Sequence, residues 1–276
     1  MTEAGPASHD LLRLEGLLRE RGLALGAPLT LLDETTSTND EAKRAAKNGA
    51  PHGATWIAES QSAGRGRQGR LWISPRGENI LLSVLARLSC PPRRLPLMSL
   101  VVGLAARDAV ARAAPGADVR VKWPNDVVIE GRKVCGILVE AQVASSHVEA
   151  IVIGVGMNVH TKAFPESIRH LATSVALHTP RQPDRAALVA DLLGGLERDL
   201  PLVAARGLGP EHARLAEVDA LRGRRVESDL QEGAAPGVAE GIDVEGRLMV
   251  RRDDGFLQRF VAGEVHLGSA PRERTL

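Results

Sequence analysis

The chain has no tyrosine, and only three phenylalanines and three tryptophans among 276 residues. A surface that held single-stranded nucleic acid by stacking bases would need more rings than this. Cysteine is almost as scarce, with only Cys90 and Cys135. Two thiols cannot build a disulfide framework, and they fit a reducing cytosol, so a cytoplasmic protein is expected. No apolar run approaches the ~18 residues of a membrane span. The opening MTEAGPASHD has no basic stretch leading into an apolar one, so no secretory signal is visible. Neither sign of charge dominates. Lys+Arg number 35 against 34 Asp+Glu, a formal charge of +1. No overall field therefore draws the chain to DNA or anionic lipid. Hydrophobic residues make up 43%, enough for a real core, and the length suits one large domain with a small one.

Periodicity separates two regions. Residues 1–10 are small and polar, and are expected to fray. Residues 10–21 carry Leu11, Leu14, Leu17 and Leu18 at helical spacing, closed by Gly22. PLTLLDE reads as a strand. Thr38-Asn39-Asp40-Glu41 reads as a capping box opening a helix that stops by Gly49 and Pro51. ATWIAES and NILLSVLARL are strands, and residues 96–114 form a long apolar helix. Four short strands follow, DVRVKW, DVVIE, VCGILVEAQ and HVEAIVIGVGMNVH, with Gly131, Arg132 and Lys133 as a turn between the second and third. Residues 162–178 read as a loop, and residues 184–200 as a helix with Asp184 at its N-cap. After about residue 215 only short strands remain: RRVESD, GVAEGIDV, RLMVRR and LQRFVAGEVHL. The expected fold class is α+β, a mixed β-sheet with flanking helices over residues 1–220. A small SH3-like β-barrel is expected over residues 221–276.

Two segments carry chemistry. Gly64-Arg65-Gly66-Arg67-Gln68-Gly69 is a literal G-x-G-x-x-G. A dinucleotide fingerprint needs a helix directly after it and an acidic residue about 20 positions on. Here LWISP and a strand follow, and the later region reads SVLARLSCPPRR. An arginine/glycine nucleic-acid tail would be repetitive and disordered, whereas this segment is short and lies between strands. A solvated basic turn is the plain alternative. An anion-closing loop accounts for more of the residues: neighbouring arginines repel unless an anion shares their space, and glycine lets backbone approach it. Lys122-Trp123-Pro124-Asn125-Asp126 presents an amide and a carboxylate between two strands. It is good turn chemistry, and it also suits Mg²⁺ held jointly with phosphate oxygens.

In order, the chain carries Thr36-Ser37-Thr38-Asn39, Gln61 with the arginine/glycine loop through Arg70, Trp72, and Lys122-Trp123-Pro124-Asn125-Asp126. Arg132-Lys133 with Gly136-Ile137-Leu138-Val139-Glu140 and Gly154-Val155-Gly156-Met157-Asn158 follow. This order and spacing resemble the biotin–protein ligases over most of residues 30–268. The resemblance implies a class II synthetase-like catalytic fold and a two-step reaction. Biotin carboxylate attacks the α-phosphate of ATP, giving biotinyl-5′-AMP and pyrophosphate. A lysine of a biotin carboxyl carrier domain then displaces AMP. No enzyme nucleophile is needed, so Cys135 is expected to be a small buried hydrophobe.

The resemblance also implies roles. Ser37, Thr38, Asn39 and Gln61 would contact the ureido ring of biotin, whose N–H donors and carbonyl suit hydroxyls and amides. Gly64, Arg65, Gly66 and Arg67 would form floor and lid over the biotin–adenylate junction, with Arg65 and Arg67 on carboxylate and phosphate. Arg70 would be structural or face ATP, and Trp72 would pack under the loop. Lys133 would stand between the two anions as the main catalytic residue, with Arg67 and Asp126 beside it. Asn125 and Asp126 would serve ATP and Mg²⁺, and Asp126 would also orient the incoming lysine. Gly136 would let backbone approach the biotin ring, Asn158 would lie on the nucleotide side, and residues 162–174 would cover adenine. Some family members carry an N-terminal winged helix and act as repressors. About 30 residues precede the first motif here, so an enzyme without DNA binding is expected. Family members dimerise in different ways, which leaves a homodimer open. A lipoate–protein ligase, or a non-catalytic adaptor with an SH3-like module, are the rival classes.

Overall fold

A computed structural model describes residues 9–144, 147–209, 211–228, 236–261, 263 and 265–267. The expected fraying of residues 1–8 lies outside them. The N-terminal leucines form two short helices, α1 (His9–Leu12) and α2 (Leu14–Glu20), rather than one. Strand β1 (Leu29–Thr35) leads into helix α3 (Thr38–Lys47) and back to β2 (Thr55–Gln61). Then come β3 (Ile80–Ala86), α4 (Leu95–Ala113), β4 (Val119–Lys122), β5 (Asp126–Ile129), β6 (Arg132–Ala144) and β7 (His147–Met157). These strands make one sheet in the order β1-β2-β3-β7-β6-β5-β4. Only β1 and β2 run parallel, joined by α3 as the parallel connection requires, and the other pairs are antiparallel. The mixed sheet is as expected.

Side-chain alternation assigns the two faces. Ile151, Ile153, Val155 and Met157 of β7 join the main core with α4 and α5 (Arg185–Arg206). The helix α5 starts as expected, with Asp184 accepting from the Ala187 N–H at 3.2 Å. The opposite face packs Ala42 and Ala46 of α3 on Trp56, Leu85, Ala150 and Val152. Further along this same face β6 and β7 carry Gly136, Gly154 and Gly156, and the missing side chains leave room for a cavity.

Helix α6 (Glu211–Glu217), which has no counterpart in the sequence reading, leads to a second, antiparallel sheet. It comprises β8 (Arg225–Ser228), β9 (Gly237–Ile242), β10 (Leu248–Arg252), β11 (Leu257–Phe260) and β12 (Val265–Leu267), in the order β11-β10-β9-β8-β12. LQRFVAGEVHL is thus two strands at opposite ends of the sheet, not one. This module shares the main core through Leu248, Val250 and Phe260, and the Trp123 indole donates to the Gly246 carbonyl at 3.0 Å. Among the described residues no helix is long and apolar enough to cross a membrane.

Candidate active site

A cavity of roughly 750 Å³ opens on the glycine-bearing face of the sheet. Its polar end lies where β1 hands over to α3. The capping box expected there does not form. Ser37 is the N-cap without a side-chain bond, and Glu41 instead accepts from the Thr35 hydroxyl at 2.8 Å. The Thr38 hydroxyl is committed elsewhere: Gln61 Oε1 accepts from Thr38 N at 2.7 Å and from its hydroxyl at 3.1 Å. Ser83 Oγ lies 2.7 Å from that hydroxyl and donates to Asn39 Oδ1 at 2.5 Å. Asn39 in turn donates to Glu140 at 2.7 Å. A β-carbon on Gly154 would meet Asn39 Oδ1 at 2.3 Å, so glycine is required for this amide to lie on the sheet.

The other end is cationic. Arg65, Arg67, Arg70, Lys122 and Lys133 line the cavity, and Asp126 is the one acidic residue among its described lining. Lys133 Nζ stands 2.7 Å from Asp126 Oδ1 and 5.6 Å from the centroid of the Trp72 ring. Burial lowers the pKa of Lys122, with the Lys133 charge adding to it and Asp126 opposing it. Burial also lowers Arg67, again against Asp126. Five basic side chains thus face one cavity that has a single carboxylate among its described lining.

How Lys133 reaches this wall is a matter of register. The turn residues are Glu130 and Gly131, both left-handed (φ 51° and 80°), as a two-residue hairpin demands. Arg132 and Lys133, expected in the turn, belong to β6. Strict alternation would put Lys133 and Gly136 on opposite faces. A bulge between Val127 and Val128 shifts the pairing from Val127–Cys135 to Val128–Lys133. Val134 and Cys135 then both face the core, and Lys133 returns to the cavity side, its Cε 3.0 Å from where a Gly136 β-carbon would stand. The Lys133 backbone is held on its far side by residues 171–173, donating to the Leu171 carbonyl at 2.7 Å and accepting from Thr173 N at 2.8 Å.

The chain matches the model described as "Biotin/lipoate A/B protein ligase family" over residues 31–158 and that of the "Biotin protein ligase C terminal domain" over residues 223–268. It is 39% identical to a biotin–[acetyl-CoA-carboxylase] ligase of Mycobacterium tuberculosis, covering 85% of this chain and 88% of that one. It is 33% identical to the Paracoccus denitrificans enzyme of the same description, covering 86% of this chain and all of the other. This chain belongs to the biotin protein ligase family. Among solved structures, the Aquifex aeolicus biotin protein ligase in complex with biotin and ATP superimposes with a TM-score of 0.73 at 26% identity, covering 88% of this chain and 100% of that one.

In this biotin protein ligase fold, Ser37, Thr38, Asn39, Gln61, Arg65, Gly66, Arg67, Trp72, Asn125, Asp126, Lys133, Gly136 and Asn158 all line the single cavity described. Gly64 lies behind the wall, where a β-carbon would meet the Trp72 carbonyl at 2.6 Å. Trp72 does more than pack under the loop: its indole lies on Gly136 and Gly156, where a β-carbon would meet it at 3.0 and 2.5 Å. Arg65 lines the cavity and is paired with Asp40. Arg67 donates to Asn125 Oδ1 at 3.2 Å, and Asn125 donates to the Ile137 carbonyl at 2.8 Å. Asn158 donates to the Thr173 carbonyl at 3.1 Å, tying β7 to the 162–174 loop, whose Phe164, Ile168 and Leu171 also reach the cavity. Cys135 is fully buried, and burial pushes its thiol pKa far up, as a packing residue requires. The sequence reading missed Asp40, Ser83 and Glu140. Each lies on an element whose own pattern is ordinary: the sheet brings Ser83 and Glu140 to Asn39, and α3 carries Asp40 to Arg65.

Proposed function

We propose that this biotin protein ligase binds biotin at the hydroxyl- and amide-lined end of the cavity and ATP at its cationic end. The observation that carries the reading is the cavity's two-ended chemistry. Neutral hydrogen-bonding groups (Ser37, Thr38, Asn39, Gln61) face the cavity from one side, and Arg67, Lys122 and Lys133 with Asp126 face it from the other. A neutral ureido ring suits the first and two mutually repelling anions suit the second. The Trp72 indole N–H is buried and has no protein acceptor among the described residues, which a ligand oxygen would relieve.

In the first step a biotin carboxylate oxygen bonds to the α-phosphorus of ATP and the bond to the β-phosphate oxygen breaks, releasing pyrophosphate. Lys133 offsets the repulsion as the anions meet. Arg67 and Lys122 hold phosphate oxygens, and Asn158 with the 162–174 loop covers the nucleotide. In the second step the neutral amine of a lysine on a biotin carboxyl carrier domain attacks the acyl carbon. The C–O bond to phosphate breaks, AMP leaves, and the amine proton passes to water or to Asp126, which also orients the nucleophile. For Mg²⁺, Asp126 and Asn125 supply one carboxylate and one amide oxygen, and among the described residues no cluster of three metal-ligating side chains exists. That donor set fits a metal brought in on phosphate oxygens, where it would neutralise phosphate charge. Residues 1–220 form the catalytic unit and residues 221–276 the second module. No repressor function is proposed.

The test is ATP- and biotin-dependent labelling of a purified carrier domain. Labelling confined to the carrier lysine supports the reading, and its absence with adenylate formation intact would remove the carrier from it.

A further inference from the structure

The arginine/glycine loop is a small folded unit. Gly66 N donates to the Arg70 carbonyl at 2.7 Å, Trp72 N donates to the Gly64 carbonyl at 2.9 Å, and Arg65 bridges to Leu71. Moving Arg65 therefore moves Arg67 and Trp72. Arg65 and Arg67 are among the side chains that tie this unit to the rest of the protein. Arg67 gives one bond of 3.2 Å to Asn125. Arg65 gives a two-pronged pair to Asp40, Nη1 to Oδ2 at 2.8 Å and Nη2 to Oδ1 at 2.5 Å. Forked, charge-assisted bonds of that kind are the stronger sort. Asp40 is itself held: it sits in the first turn of α3, where negative charge is favoured, and Lys43 Nζ is 3.0 Å from it. The same ammonium lies 2.9 Å from Glu140, which accepts from Asn39. Charges alternate along Arg65, Asp40, Lys43 and Glu140 and end on an amide of the polar cavity wall. Asp40, Lys43 and Glu140 do not themselves line the cavity.

We propose that Asp40 is a positioning residue that latches the arginine/glycine loop over the cavity through Arg65, so that the enzyme's retention of biotinyl-AMP depends on this pair. The ligand named here rests on the proposed function above. Arg65 then acts as the loop's anchor, and the anions fall to Arg67, Lys122 and Lys133. Asp40→Asn removes the charge without changing shape and turns an amide toward the guanidinium. Asp40→Glu restores the carboxylate.

The test forms radiolabelled biotinyl-AMP on the enzyme, chases with unlabelled biotin and ATP, and follows release. Asp40→Asn is expected to speed release about fivefold, the scale of a well-formed, partly exposed ion pair. Asp40→Glu should return most of that loss, and Asp40→Asn should add nothing in an Arg65→Ala background. Unchanged release in Asp40→Asn, or effects that multiply in the double variant, would overturn the latch. A purely structural role would shift thermal unfolding without that non-additivity. Trypsin supplies a readout free of ligand: cleavage after Arg67 and Arg70 should be several-fold faster in Asp40→Asn than in the unsubstituted chain or Asp40→Glu. Equal cleavage rates would overturn the latch by themselves. Failure of the unsubstituted chain to make biotinyl-AMP would overturn the proposed function, and the proteolysis result would still judge the latch.

Discussion

Lys133 illustrates how much one side chain depends on one irregularity. Its ammonium is 2.7 Å from Asp126 and touches the space above Gly136 only because the β5–β6 bulge turns it back to the cavity. Lys133→Ala is expected to slow formation of biotinyl-AMP about 10²–10³-fold in single-turnover assays, as loss of one preorganised charge contact does. Transfer from supplied biotinyl-AMP should suffer much less. Equal loss in both steps would place Lys133 outside the first reaction. Gly156 makes a second residue-scale case. Gly156→Ala would drive a methyl group into the Trp72 ring, 2.5 Å away, and either the indole or the strand must move. Overpacking of this kind costs about 1–3 kcal/mol, so a lower unfolding midpoint and weaker biotin binding by calorimetry are expected together.

At the scale of elements, what could be read in the chain and what could not follows from distance. The strands β1 to β7 and the helices α3 to α5 announce themselves by periodicity, and Asp184 by its capping position. The capping box at Thr38 misleads because the same hydroxyl has a better use against Gln61 and Ser83, residues 23 and 45 positions away. Arg132-Lys133 looks like a turn because nothing local marks a bulge. The pairing of Arg65 with Asp40 is hidden because Asp40 stands 25 residues earlier on another element. A buried ion cluster was equally invisible. Arg185 of α5 has no exposed surface, and it binds Asp10 of α1 at 2.9 Å and Glu59 of β2 at 2.7 Å, and donates to the Asn79 carbonyl at 3.1 Å. Asn79 reaches the cavity wall beside Thr161, so the cluster braces the site from behind. Burial draws Arg185 down, but the two carboxylates outweigh it and its pKa is raised. Arg185→Ala strands buried carboxylate and should cost about 3–5 kcal/mol, read as a loss of denaturation midpoint. A change near zero would mean that the cluster opens to water.

The whole molecule is held by contacts between its two sheets. The turn between β9 and β10 brings Gly246 to the Trp123 indole, and a β-carbon there would meet Leu97 at 2.5 Å. Gly246 is also left-handed at φ 76°. Gly246→Val should therefore lower stability and disturb the Lys122–Asp126 segment, seen as a raised KM for ATP more than for biotin. An equal fold-rise in both KM values would separate the turn from the nucleotide end. Acid stability is a second property at this scale. The Arg65 bond holds the Asp40 pKa down to about 2 from 3.8. For Asp10 and Asp199 burial pushes upward, but arginine partners prevail and both fall below the ordinary value. Carboxyls with depressed folded pKa values contribute stability in full above about 3.8 and lose it as pH falls through their folded values. Unfolding midpoints should decline modestly as pH falls through the ordinary imidazole value of 6.5, and steeply below about 4. The first decline follows from His160 and His178, whose pKa burial holds below the usual imidazole value, so the unfolded chain takes up protons first; a midpoint unchanged between about pH 7 and 5 would contradict it.

The joining of biotin's carboxylate to the α-phosphate of ATP in one cavity is tested most directly by isotope exchange between pyrophosphate and ATP. Biotin should drive rapid exchange, lipoate should drive none above background, and Lys133→Ala should lower the biotin-dependent signal about 10²–10³-fold. Exchange driven by lipoate, or none with biotin, would contradict the assignment of this cavity.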